Sequence, residues 1–233
     1  MTGCTHKIGG FTFGLLFISL NLHLPMMPIV LFSYLTPGFL IGCILGALFA
    51  DIDSPKSTIS RLFWFIAWPI WVVQWIIRKI FGKGKSKFAK NICKTVNHRG
   101  IAHWLIIALA YITIIIVIAK FKIFSQLFTF ETFFEITLYF IYGTAVGHLS
   151  HIVLDSFNDR GIALFAPFSF KRISFAKIVT GTRKTKKNIF GRRTIYTDSK
   201  SENKFINILL LIITCLLAYN LGLIPIILEF FKK

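Results

Sequence analysis

The stretch IAHWLIIALAYITIIIVIA, running from Ile101 to Ala119, decides the fold. It carries no Asp, Glu, Lys or Arg. As an α-helix rising about 1.5 Å per residue, it comes close to crossing the roughly 30 Å of hydrocarbon in a bilayer. Two further apolar runs follow, Leu127 to Leu149 and Phe205 to Phe231. The chain of 233 residues is 55% hydrophobic and 15% charged, with a mean hydropathy of +0.70. A soluble fold of this size could not bury that much apolar surface. The sequence therefore predicts an all-α, polytopic membrane bundle of about five transmembrane helices, because helices satisfy their own backbone in lipid.

The N-terminal region contributes two of those helices. Lys7 followed by an apolar run has the look of a secretory signal. Asn21, His23, Pro25 and Pro28 interrupt it, no small-residue cleavage site follows, and a second apolar segment runs from Ile29 to Ala50. An uncleaved helical hairpin turning at Leu24 to Pro28 accounts for both the prolines and the length.

Charge sets the expected orientation. Lys and Arg number 27 against 9 acids. Eight basic residues and no acid lie between Arg78 and Arg99, and twelve lie between Arg160 and Lys204 against Asp198 and Glu202. Such loops are read as cytoplasmic, and the loop with Lys120, Lys122 and Glu131 as external. The density from Lys171 to Arg193 would also suit nucleic acid, but topology and anionic headgroups explain it without a specific nucleic-acid partner. Between the hairpin and the third run lies Leu62 to Ile80, rich in tryptophan (Trp64, Trp68, Trp71, Trp75), broken by Pro69 and ending in Arg78 and Lys79. It is read as an interfacial helix or re-entrant segment, which keeps Asp51 and His103 on one side. The whole, 1–233, is one membrane-embedded domain, with a motif core at 5–167, a basic cytoplasmic loop at 156–204 and a last helix at 205–231.

The polar chemistry gathers at helix ends. Five of the six histidines fall in clusters with aspartates, and only His23 stands apart. Ionisable groups inside or beside membrane helices are costly and read as functional. In Gly147-His-Leu-Ser-His-Ile-Val-Leu-Asp155, the residues His148, His151 and Asp155 fall within about 60° of one another on a helix. Asp51-Ile-Asp53-Ser-Pro55 places two carboxylates where a Gly-rich helix runs out, able to hold or bridge cations. In Asn97-His98-Arg99-Gly100-Ile101-Ala102-His103, the five-residue spacing puts His98 in a loop and His103 in the first helical turn, with Arg99 free to clamp an anion. His6 opens the first helix. The expected metal ligands are His6, Asp51, Asp53, His98, His103, His151 and Asp155; Asp53, Arg99 and His148 are the candidate catalytic groups. This nitrogen-rich set suits zinc, or manganese or iron, and exceeds one tetrahedral site, so two divalent ions are expected. The four cysteines form no C-x-x-C pair. Cys43 and Cys215 are read as packing residues, and Cys4 lies two residues from His6.

These motifs resemble the bacterial LexA-regulated, inner-membrane-associated, metal-dependent hydrolases of YdjM type. The resemblance covers Thr5 to Pro167. It rests on Thr5-His6, Asp51-Ile-Asp53-Ser-Pro55-Lys56-Ser57, His98-Arg99-Gly100-x-x-His103 and Gly147-x-x-Ser150-His151-x-x-x-Asp155. It departs in Ala102, in the long basic insert between Pro55 and His98, and in not requiring His148. The resemblance implies a multi-pass hydrolase of the inner membrane. A fainter similarity of the His-x-x-x-Asp helix to helical zinc phospholipase C and P1 nuclease points to phosphoesters. The expectation is hydrolysis of an anionic phosphoester at the cytoplasmic face, such as a lipid or lipid-linked phosphate, with membrane lipids as partners. The alternative is a non-catalytic metal-binding membrane protein, either a transporter or a regulatory protein.

Overall fold

The computed structural model describes residues 2–20, 34–82, 84, 86–96, 100, 103–120, 131–158, 161–174 and 200–221. Among them the chain forms helices α1 (Gly3–Ser19), α2 (Thr36–Phe49), α3 (Thr58–Leu62), α4 (Trp64–Phe81), α5 (Lys87–Thr95), α6 (Leu105–Lys120), α7 (Glu131–Ser156) and α8 (Lys200–Asn220). The only pairing of extended chain among these residues is an isolated antiparallel bridge between Ile162 and Ile173. The expected all-α class is what the structure has. Among the described residues two helical segments, Glu135–Ser156 and Glu202–Asn220, are long and apolar enough to cross a membrane by length and composition; Thr36–Phe49 and Leu105–Ile114 are apolar but shorter. The hairpin turn at Leu24 to Pro28, with His23, lies outside the described residues.

The core is a crossing of α2 over α7, flanked by α1. Glycines four apart make the close approach possible. A β-carbon on Gly42 or Gly46 of α2 would overlap backbone of Phe140 and Thr144 in α7, and one on Gly143 or Gly147 of α7 would overlap the carbonyls of Phe39 and Cys43 in α2. Gly10 and Gly14 let α1 approach α2 closely at Cys43 and Ala47. Small residues at this spacing let membrane helices pack backbone to backbone, where dispersion substitutes for a missing hydrophobic driving force. Phe39, Cys43, Tyr139 and Val146 fill the remaining core. Cys43 is the packing residue expected, whereas Cys215 lies exposed on α8 and Cys4 is also exposed.

Helix α8 runs parallel to α1 and is fastened at both ends. Thr2 at the start of α1 meets Glu202, and Ser19 at its end accepts a hydrogen bond from Asn220 at 2.6 Å. The starts of α1 and α8 therefore share one end of the bundle.

Helix α4 is a correction to the sequence reading. Pro69 does not break it; the helix runs straight through. Proline here sits in the second turn, so its missing N–H deletes one hydrogen bond near an end already short of partners. Ala67 and Gln74 are buried while Trp64, Trp68 and Trp75 face outward, and among the described residues the helix packs chiefly on α3 and α5. Arg78 donates to the Val96 carbonyl at 3.1 Å, folding α5 back along it. After α7 the chain does not go directly into a loose basic loop: Gly161 takes a positive φ of 59°, and residues 161–174 fold over the start of α6. There Trp104 is buried with Ala163 and Ala166, and Leu105 donates its N–H to the Leu164 carbonyl. Residues 175–199 lie outside the described part.

Candidate metal centre

Four pieces of backbone deliver the site. His6 sits in the first turn of α1, whose N-cap Thr2 accepts from the Thr5 N–H. Asp51 and Asp53 lie in turns that follow α2, where Ser54 donates to the Asp51 carbonyl and the Ser57 hydroxyl caps α3. Next comes His103, whose N–H donates to Gly100, two residues before α6 rather than within its first turn. His151 and Asp155 lie one turn apart near the end of α7.

Their side chains converge. His103 Nε2 lies 3.1 Å from His151 Nε2, and Asp51 Oδ1 lies 3.7 Å and 3.6 Å from those two atoms. Asp155 Oδ1 is 3.5 Å from His6 Nε2, while its Oδ2 is 3.8 Å from His103 and 3.9 Å from His151. The His6 and His151 rings stack at 3.8 Å. His6, His103 and His151 are essentially inaccessible and Asp155 is buried, while Asp51 keeps 21% of its side-chain surface.

The donor set fits a transition metal. Bonds of about 2.0–2.1 Å to a tetrahedral ion set ligand atoms about 3.3–3.4 Å apart, near the middle of the separations above. His151 Nδ1 lies 2.5 Å from the Ala47 carbonyl. A carbonyl only accepts, so Nδ1 carries the proton and the Nε2 lone pair points into the cluster. That lone pair and two carboxylates then face one another, an arrangement that calls for a cation. Buried His6 Nδ1 has no hydrogen-bond partner among the described residues. Two overlapping groups can hold an ion, His6 with His151 and Asp155, and Asp51 with His103 and His151. Because both use His151, the described residues form one continuous cluster rather than two separate sites. At Asp51, burial alone would push the carboxyl up. The nearby imidazoles of His103, His151 and His6 outweigh that and hold it below the usual carboxylate range.

A family model for YdjM inner membrane proteins matches residues 1–224. The chain belongs to the YdjM inner membrane protein family. No curated protein and no solved structure matches it. In this YdjM-family chain, five sequence-expected ligands meet: His6, Asp51, His103, His151 and Asp155. Asp53 is buried two residues from Asp51 but belongs to neither group of candidate ligands. His98 and Arg99 lie outside the described residues. His148 is not in the cluster either. The 60° between His148 and His151 turns it toward a groove shared with Gly46 and Tyr111.

Glu202, placed by the sequence reading in the basic loop at 156–204, lies instead in the first turn of α8, which begins at Lys200 rather than 205. It is 1% exposed and accepts from the Thr2 N–H at 2.6 Å, from the Thr2 hydroxyl at 3.1 Å, and from the Thr5 hydroxyl beside His6. It lies at the N-termini of both α1 and α8, where helix dipoles favour a carboxylate. The visible signal was an acid among the basic residues just ahead of the last apolar run. Glu202→Ala strands those donors and should cost about 1–3 kcal/mol. Glu202→Gln, which keeps an acceptor oxygen, should retain most of that stability in thermal unfolding of the detergent-solubilised protein.

Proposed function

We propose that this chain is a membrane-embedded, metal-dependent hydrolase of an anionic phosphoester, a lipid or lipid-linked phosphate. The carrying observation is the convergence of three imidazoles and two carboxylates from α1, α7, the end of α2 and the start of α6. His6, Asp51, His103, His151 and Asp155 would hold a divalent ion, with zinc the best match to the nitrogen-rich set and manganese or iron fitting the same ligands. A second ion would draw on Asp53 and His98. Such an ion supplies Lewis acidity and makes water nucleophilic at neutral pH. The protein's part is to hold His151 in one tautomer through Ala47, to place Asp53 as a base for water, and to bind the substrate anion with Arg99.

The same geometry supports an orientation. Asp51 and His103 meet, so the chain between them returns to the side it left, which supports α4 lying in the interface with its tryptophans in the headgroup region. That intervening chain carries the basic stretch from Arg78 to Arg99, so the site end is assigned to the cytoplasm, with five crossings by α1, α2, α6, α7 and α8. A lipid phosphate at that level reaches the site laterally.

The near-complete burial of four of the five ligands favours a second reading, a closed structural metal without turnover. One experiment separates the two. Metal-loaded protein in detergent is given phosphatidate, a polyprenyl phosphate, an oligonucleotide and a peptide, with Asp53→Asn as control. Turnover of a lipid phosphate, reduced at least a hundredfold in the control, is the expected result. Activity confined to the peptide, activity equal in the control, or full metal with no turnover of any substrate would overturn it.

A further inference from the structure

Beside the metal centre a groove of about 420 Å³ opens between α2, α6 and α7. That is within the roughly 300–1,000 Å³ usual for ligand sites. Its α7 wall is a single stripe of Phe140, Ile141, Thr144 and His148. The eight helical steps from Phe140 to His148, at about 1.5 Å each, make a slot about 12 Å long, parallel to the helix axis. Phe49 and Gly46 of α2 and Tyr111 of α6 close it. The Tyr111 and Thr144 hydroxyls bond to each other, and Thr144 is also bonded to the Ile141 carbonyl, so neither hydroxyl makes the wall polar. His148, one turn before His151, is the polar member, and it stands at the end nearest the cluster. Gly46 precedes Ala47, whose carbonyl holds His151. Glycine leaves room there, because a β-carbon at 46 would have no space beside Thr144.

We infer that this groove is an acyl-chain subsite: one hydrocarbon chain of a membrane lipid lies along α7 from Phe140 to His148, which brings its head group to the metal centre. The occupant follows from where the slot is. It runs down the apolar part of a helix in an inner-membrane family, so lipid chains are what bathe it, and its polar end abuts the cluster. The chain arrives from hydrocarbon and gains little by transfer, so the slot selects by shape rather than by hydrophobic energy. The phosphate identity of the head group rests on the hydrolase reading above; the chain subsite does not.

The test is photo-cross-linking of the full chain in phosphatidylcholine nanodiscs doped with a phosphatidate that carries a diazirine within one acyl chain. Adducts are expected to concentrate on α7 between Phe140 and His148. Ile141→Trp, which fills the slot, should cut them at least fivefold with metal content unchanged; Phe49→Trp, from the opposite wall, serves if that variant does not fold. Adducts spread evenly over outward residues such as Leu211 of α8, or undiminished in a folded blocking variant, overturn the inference. A neutral diacylglycerol with the same diazirine chain should label at least threefold less. Equal labelling by it would uphold the chain subsite and remove the lipid phosphate from the hydrolase reading.

Discussion

Gly46→Val or Gly147→Val is expected to yield little folded protein. At either position the added atoms meet backbone of the partner helix, the Thr144 carbonyl for Gly46 and the Cys43 carbonyl for Gly147. Overfilled cores usually lose about 1–3 kcal/mol as side chains shift aside. Backbone cannot shift aside, so α2 and α7 must separate, and the loss should exceed that range. The crossing also sets Ala47 against His151, so parting the helices dismantles the candidate metal site. Size-exclusion profiles and thermal unfolding in detergent measure this. Gly38→Ala is the control, since a β-carbon there meets Ile136 only at ordinary contact distance, with 3.5 Å the nearest approach. Wild-type yield and melting in the Gly46 and Gly147 variants would show that the crossing is looser than described.

His151→Ala should abolish metal retention, and Asp155→Ala and His103→Ala should each lower it at least tenfold. His151 has the largest effect because both candidate ligand groups pass through it. Asp155 reaches His6 with one oxygen and His103 and His151 with the other, so its loss opens the cluster on two sides. Each substitution leaves the helix crossing intact, so the proteins should insert and elute as wild type does, and His23→Ala should keep its metal. Ligand loss typically removes most of the affinity of such a site. Metal retained at wild-type levels in all three variants would refute the ligand assignment.

The residues of the cluster could be read from the sequence because side chains that bind divalent metals are mostly His, Asp, Glu and Cys, and in an apolar chain the clustered His and Asp stand out. Their convergence could also be anticipated, since each motif falls where an apolar run begins or ends. What holds the cluster together was harder to read. The Gly42/Gly46, Gly143/Gly147 and Gly10/Gly14 pairs have a spacing that shows in the sequence, yet which helices they join depends on tertiary packing. Pro69 suggested a break, but one lost hydrogen bond near a helix start is tolerable. His148 shares a stripe with His151 on a helical projection, but the 60° between them is enough to turn it out of the cluster and into the groove with Gly46 and Tyr111. Glu202 reads as one acid within a basic loop, because the polar residues Lys200 to Lys204 hide the first turn of α8, and its threonine partners come from the other end of the chain. Residues 161–174, read as part of a basic loop, fold because Ile162, Ala163 and Ala166 find apolar partners at the start of α6.

The most direct test of the central claim is the metal content of the wild-type protein, extracted in detergent without chelator, by mass spectrometry and X-ray absorption. The account predicts at least one equivalent of zinc, manganese or iron per chain, bound by nitrogen and oxygen at about 2.0–2.2 Å. Folded protein that carries no such metal and takes none up when supplied would contradict it.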